Sequence, residues 1–303
     1  MSSPYTTLPE FTYYKPKTLE EALELLEKYG EEAKVLAGGV GLINFMLERL
    51  MSPKYVVDIK GIEELRGIRY EEGKGLSIGA ATRISEITRW LDGNLELKRK
   101  YQALYEALSR IADMQIRNRA TLAGNVCEAL PYMDSYSPLA VYDAEVVIAS
   151  RSGERRALIT EFVQGPGMID LQPGELVVRI DVPEPPRRSV SGFSKIVPAI
   201  EYSIASVSML VANIEDPATR EVRIAVSAAT PVPVRVREAE DVFKSQGDIV
   251  ELLDKALDKL IGEIEYDILE DPYASAEYRK EMIRVQAYQL FLRLLREYRV
   301  NWG

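Results

Sequence analysis

Apolar positions recur along this chain with two periods, helical and alternating. From Thr18 the spacing is helical: Leu19, Ala22, Leu23 and Leu26 fall on one face, as a 3.6-residue repeat requires. Thr18 followed three residues later by Glu21 forms a capping box. Gly30 is a C-terminal stop. Two short runs flank this helix, Phe11-Thr12-Tyr13-Tyr14 before Pro16 and Lys34-Val35-Leu36-Ala37 after it. Both read as strands. The resulting β-α-β unit delivers the chain to Gly38 and Gly39. Helical character resumes over 41–50. Further strands are predicted over 55–58, 76–80, 144–149 and 176–182, a helix over 104–114, and an extended or loop-like stretch over 121–126.

Pro183-Glu184-Pro185-Pro186 is the clearest interruption, because consecutive prolines deny the backbone regular pairing. Beyond it strands are predicted over 193–197, 206–214 and 222–228, with Asp216-Pro217-Ala218-Thr219 as a turn. Helices follow over 237–244, 249–261 and 276–298. The last carries Ile283, Ala287, Leu290 and Leu294 on one face. Strands followed by helices predict an α+β second part. The expected division is a first domain over 1–183, a proline-rich linker over 184–190 and a second domain over 191–303. There is no internal repeat and no low-complexity tract.

Composition narrows the chemistry. The 303 residues suffice for about two domains, and 47% hydrophobic with 28% charged residues is ordinary for a soluble globular protein. A net charge of −9 argues against a nucleic-acid partner, which requires a basic face. Histidine is absent, which excludes Ser/His/Asp and Cys/His catalysis and His-ligated metals. The single cysteine, Cys127, makes no internal disulfide and cannot hold an iron–sulfur cluster alone. No apolar run approaches the ~20 residues of a membrane span. Residues 1–10 lack the zones of a signal peptide. A cytoplasmic protein with no membrane partner is expected, and abundant Glu, Lys and Arg with few Gln point towards a thermophile. Any chemistry is expected to belong to a bound organic cofactor.

Two glycine-bearing segments are candidates for holding one. Ala37-Gly38-Gly39-Val40-Gly41-Leu42 follows a strand. Its backbone can approach a ligand closely and aim successive N–H groups at an anion such as a pyrophosphate. The spacing is not the G-x-G-x-x-G of a Rossmann turn, and a plain strand-to-helix turn accounts for it equally. The second segment runs from Gln115-Ile116-Arg117-Asn118 to Thr121-Leu122-Ala123-Gly124-Asn125. Thr121 and Asn125 could bond a phosphate or ribose and Asp134 a sugar hydroxyl. A loop whose polar side chains satisfy its own backbone is the competing reading. Cys127 reads as a buried inert thiol and Lys195 as a solvated lysine.

Taken together, A-G-G-x-x-L, then Q-I-R-N-x-x-T-x-x-G-N about 80 residues on, then D-x-x-x-P from Asp134 closely resemble one family. It is the FAD-binding medium subunit of the xanthine dehydrogenase, carbon monoxide dehydrogenase and aldehyde oxidoreductase (molybdenum hydroxylase) family. The likeness runs nearly the whole length, through Leu65-Arg66-Gly67-Ile68, Gly174-Glu175-Leu176, Pro231-Val232-Pro233-Val234-Arg235 and Ala274-Ser275-Ala276-Glu277-Tyr278-Arg279. It implies an α+β fold: a two-subdomain, PCMH-like FAD-binding domain, then a C-terminal antiparallel sheet with helices like that of the CO dehydrogenase flavoprotein. It implies FAD in this chain, and a large molybdenum-cofactor subunit and a small subunit with [2Fe–2S] clusters as partners. Electrons would pass from those clusters through the flavin to NAD, oxygen or another acceptor, in a dimer of heterotrimers. Residue by residue, Val35, Leu36, Ala37, Gly38, Gly39, Val40, Gly41 and Leu42 match the first pyrophosphate-binding stretch. Thr121, Leu122, Ala123, Gly124 and Asn125 match the second. Asp134 matches an acidic residue near the cofactor, Lys195 a lysine near the flavin ring, and Ile111 and Val177 apolar positions lining flavin or adenine.

Three positions depart from the family. Val40 stands where Thr, Gln or His is usual, Gly41 where Ser or Asp is usual, and Ala123 where a glycine lets backbone approach the ligand. Each lost hydrogen bond to a charged group costs about 1.5–3 kcal/mol. Backbone donors survive all three changes, so weaker FAD binding is the expectation. The alternative is an assembly or scaffold subunit of the same complex that kept the fold and lost the flavin.

Overall fold

The computed structural model describes residues 7–198 and 202–302. Residues 1–6, part of the stretch read above for a signal peptide, lie outside the described residues, as do 199–201 and 303. The chain opens with β1 (Thr12–Tyr14), α1 (Leu19–Tyr29), β2 (Ala33–Leu36), α2 (Val40–Leu47) and β3 (Tyr55–Asp58). The three strands form a parallel sheet in the order β1-β3-β2. Thr18 caps α1 as the spacing predicts: its Oγ1 accepts from Glu21 N at 3.2 Å, and the Glu21 carboxylate accepts from Lys17 N at 2.7 Å. Ala22, Leu23 and Leu26 bury the predicted face against Val57, Ile59 and Ile62.

The second layer comprises β4 (Ile68–Glu71), β5 (Gly75–Gly79), α3 (Ile84–Asp92), α4 (Leu95–Lys100), α5 (Gln102–Ser109), α6 (Met114–Arg117), α7 (Leu122–Glu128) and α8 (Tyr136–Val141). It continues with β6 (Glu145–Ser150), β7 (Gly153–Leu158), α9 (Ile159–Phe162), β8 (Val163–Gly165), β9 (Met168–Ile169) and β10 (Leu176–Pro183). Its antiparallel sheet runs β4-β5-β10-β6-β7. Alternation along β6 and β10 buries both faces. Val146, Ile148, Val177 and Ile180 point into the helix-covered core, and Val147, Ala149, Leu176 and Val178 towards the first layer. A bulge at Val178 keeps both sets in phase.

The remainder is β11 (Ser189–Ile196), β12 (Ala205–Ala212), β13 (Glu221–Ser227), β14 (Val234–Arg235), α10 (Arg237–Glu240), α11 (Ile249–Ile264) and α12 (Ala276–Trp302). The sheet is antiparallel in chain order. One face packs Val207, Met209 and Val211 beneath α11 and α12, where Ile283, Ala287, Leu290 and Leu294 are buried as predicted. The other face turns Leu210, Ala212 and Ala225 into the core of the preceding layer. The architecture is the α+β arrangement expected.

Three local expectations fail. The helix predicted over 104–114 is broken. α5 stops at Ser109, Ala112 takes φ +38°, and Asp113 starts α6 by accepting from Ile116 N at 2.8 Å. The Arg117 guanidinium staples the break, donating to the carbonyls of Ile111 and Ala112 at 2.6 and 2.9 Å. The stretch 121–126, predicted extended or loop-like, is instead the N-cap Thr121 and the first turns of α7. Ser189 and Val190, assigned to the linker, already pair with Ala212 and Val211. Among the described residues no helix is long and apolar enough to cross a membrane.

Candidate functional site

The first glycine segment joins β2 to α2. Gly39 adopts φ +80°, the left-handed region that glycine enters without steric cost. No side chain caps α2, so the orphan N–H groups of Val40, Gly41 and Leu42 lack the partner that a capping residue supplies. Gly38 is buried, and a Cβ there would collide with the carbonyl oxygen of Arg119 and lie 2.8 Å from Ala120 Cα. The two glycine segments therefore meet backbone to backbone. A Cβ at Gly41 would lie 2.6 Å from the carboxyl carbon of Glu128. Burial raises this carboxyl to about 7. Val35 and Leu36 pair in β2 with Val57 and Asp58, which aims Ala37 at the turn.

The second segment uses its side chains internally. Thr121 is buried, and its Oγ1 accepts from Gly124 N at 3.0 Å, leaving only the hydroxyl hydrogen to donate. Asn125 donates to the sulfur of Met133 and accepts from Ser135 Oγ at 2.6 Å. Leu122 and Ala123 are core residues. The Ala123 methyl is packed among these core residues. Cys127 is half-buried, and its surroundings push the thiol up to about 12, which disfavours the reactive thiolate.

Asp134, expected near a cofactor, sits between the two residues that hold Asn125. It is buried and paired with Lys195 at 2.5 Å, and Ser203 Oγ donates to its other oxygen at 2.7 Å. Burial holds its carboxyl above the usual range, with Lys195 and Ser203 opposing. Lys195 also donates to the carbonyl of Arg110 at 3.0 Å, beside Ile111. Lys195 is therefore no solvated surface lysine but the half-buried partner of the buried Asp134. Ile111 and Val177 lie in the same core as Leu122 and Ala123. Asn125 is thus tied by hydrogen bond to Ser135, whose chain neighbour Asp134 is paired with Lys195.

Sequence reasoning missed the charges around this junction. Lys60, Arg66, Arg83 and Arg119 line a shallow, open cleft walled by Gly38 and Thr121. Lys60 pairs with Asp58 and Arg66 with Glu86. Arg83 and Arg119 make no side-chain hydrogen bond or ion pair among the described residues. Four cations beside a backbone junction, in a chain of charge −9, fit an anionic ligand such as a pyrophosphate. Only their distribution in space carries that signal, since they are spread over 60 residues. Ser203 and the edge-to-face pair Tyr132–Tyr202, with centroids 4.3 Å apart, were likewise missed. A second cleft, at Asp143, Arg235 and Arg237, has its charges paired to one another. Among the described residues no group of three or more acidic, cysteine or histidine side chains is placed to hold a metal ion.

Residues 9–185 match the family model of the FAD binding domain in molybdopterin dehydrogenase. Residues 197–294 match that of the CO dehydrogenase flavoprotein C-terminal domain. The chain is 30% identical over 290 residues to the glyceraldehyde dehydrogenase medium chain of Sulfolobus acidocaldarius, covering 93% of this chain and 98% of the relative. It is 31% identical to the carbon monoxide dehydrogenase medium chain of Afipia carboxidovorans, covering 91% and 93%. A chain of the solved carbon monoxide dehydrogenase from Hydrogenophaga pseudoflava superposes with a TM-score of 0.87 at 28% identity, covering 96% of this chain and 99% of that one.

Proposed function

Because the chain belongs to the FAD-binding medium-subunit family of the molybdenum hydroxylases, we propose that it binds one FAD across its two glycine segments and relays electrons between a small iron–sulfur subunit and an acceptor such as NAD or oxygen. The observation that carries the reading is the cation-flanked junction of Gly38 with Arg119 and Ala120. There the uncapped first turn of α2 offers N–H groups and Arg83 and Arg119 offer charge to the pyrophosphate. FAD supplies reversible uptake of one or two electrons, and the protein supplies binding, orientation and field. Ile111 and Val177 provide apolar wall. Lys195, two of whose three donors are engaged by Asp134 and Arg110, keeps one for the flavin end.

The same reading includes a large molybdenum-cofactor subunit and a small [2Fe–2S] subunit as partners, a dimer of heterotrimers, a cytoplasmic setting, and a division of the chain at 184–190. The names of the relatives as medium chains support the partner subunits, and the two family models, ending at 185 and beginning at 197, support the division.

The test is the absorption spectrum of the purified protein, with and without added FAD, alone and with co-purifying subunits. Oxidised-flavin bands at one flavin per chain are expected. No bound flavin under any of these conditions overturns the reading and favours a scaffold subunit that has lost its cofactor. Arg83→Gln and Arg119→Gln should each weaken FAD roughly tenfold, the loss of one charge-assisted contact. Unchanged affinity in both would remove the cleft from the site.

A further inference from the structure

This inference rests on the flavin reading and deepens it. Gly41 has no side chain, and the Glu128 carboxyl fills the space one would take: a built Cβ lies 2.6 Å from Cδ and Oε2 and 2.8 Å from Oε1. Glu128 is the last residue of α7. Its side chain reaches across to Gly41 in the uncapped first turn of α2, the turn whose N–H groups the flavin reading gives to the pyrophosphate. Among the described residues the carboxyl makes no hydrogen bond and no ion pair. Tyr132 and Tyr136 face it and are held neutral, their hydroxyls raised chiefly by burial. The neighbouring Cys127 thiol is neutral too. α2 carries no charged side chain from Val40 to Leu47. A carboxyl in these surroundings has no counter-ion, and burial alone moves it to about 7.

We propose that the Glu128 carboxyl completes the phosphate cradle in place of a side chain at position 41, and that FAD binds with this group protonated, so that flavin binding takes up a proton.

The physical reason is a conflict of charges. The pyrophosphate carries two negative charges, and an ionised carboxylate against it would repel. The protonated acid instead has one O–H to donate to a phosphate oxygen. The proton comes from solvent, and no bond to the cofactor is made or broken. Affinity is therefore highest where the free group is already protonated and falls as pH rises through its free value.

The measurement is a fluorescence titration of FAD into flavin-free full-length protein, alone and within the complex it forms, between pH 6 and pH 8.5. Wild type is expected to bind about tenfold more weakly at pH 8 than at pH 6. Glu128→Gln should be close to flat across the range. Gly41→Ser provides a second test that leaves Glu128 in place. The added atoms displace only the end of a flexible side chain, so the fold survives while the carboxyl leaves the cradle and the slope collapses. A flat wild-type profile, or an undiminished slope in Glu128→Gln, overturns the proposal while leaving the flavin reading intact. No binding by wild type at any pH, in the complex as well as alone, overturns the flavin reading and this proposal with it.

Discussion

The two glycine segments look alike as sequence, yet they are built on opposite plans. In 37–42 the side chains contribute little: Gly38 is pressed on Arg119 and Ala120, Gly39 turns the chain at φ +80°, and no side chain caps α2. What this segment offers is bare backbone. In 121–125 the polar side chains are already engaged, Thr121 as the cap of α7 and Asn125 between Met133 and Ser135. What this segment offers is a frame. A glycine-rich turn and a conspicuous Thr and Asn, adjacent in the fold, thus differ in what they leave free for a ligand. One exposes donors, and the other holds the partner surface rigid while spending its own.

That contrast can be broken at its far end, where the largest effect is expected. The frame continues from Asn125 through Ser135 to Asp134, whose charge is buried with Lys195. Lys195→Met leaves that carboxylate without a counter-charge and should cost about 3–5 kcal/mol at pH 7. The sign of the pH dependence follows from burial. Asp134 is held above its unfolded value, so its contribution is fully present below that value and is lost as pH rises through the folded one. Removing Lys195 raises the folded value further, so the deficit should shrink between pH 7 and pH 5, and Asp134→Asn in the same chain should recover much of it. Urea unfolding at both pH values measures this. Equal deficits at pH 5 and pH 7 would mean that the pair does not hold the frame.

The next largest effect belongs to the bare-backbone segment. Gly38→Ala drives a Cβ into main-chain atoms of Arg119 and Ala120, which cannot rotate away as a side chain can. Overpacking of this kind costs about 1–3 kcal/mol. Because it separates the two segments at their point of contact, flavin content should fall more than stability does. A Gly38→Ala protein that keeps wild-type flavin after dialysis would show that the junction is not where the cofactor is held.

Much of the frame was legible in the sequence, and the reasons differ by region. Thr18, Glu21 and Gly30 announce α1 because capping is local chemistry, complete within one turn. Ile283, Ala287, Leu290 and Leu294 announce α12 because its buried face is a regular stripe. α7 was misread because a seven-residue helix holding Gly124 and Asn125 gives period and propensity too little length to speak. β7 was missed because its Arg155 and Arg156 are polar edge residues whose ion pairs reach Glu175 and Glu145. The glycine loops were legible as candidates, since three glycines after a strand are conspicuous. Arg83, Arg119 and Glu128 were not, because each matters only through what the fold places beside it.

The smallest effect is the most discriminating between the two plans. Thr121→Ala removes the acceptor for Gly124 N, and loss of an N-cap costs about 1 kcal/mol. Thr121→Ser keeps both the acceptor and the hydroxyl hydrogen and should be near neutral in stability. If Thr121 only frames the site, flavin affinity in Thr121→Ala should fall no more than the loosened α7 explains, and the G38A defect should remain the larger of the two. If the Thr121 hydroxyl also donates to the pyrophosphate, Thr121→Ala should lose about tenfold in flavin affinity beyond its stability loss, and Thr121→Ser should restore it. A titration of the three proteins beside their urea midpoints separates these outcomes. The first keeps backbone and frame as distinct devices. The second places a working side chain in the segment that otherwise spends its side chains on itself.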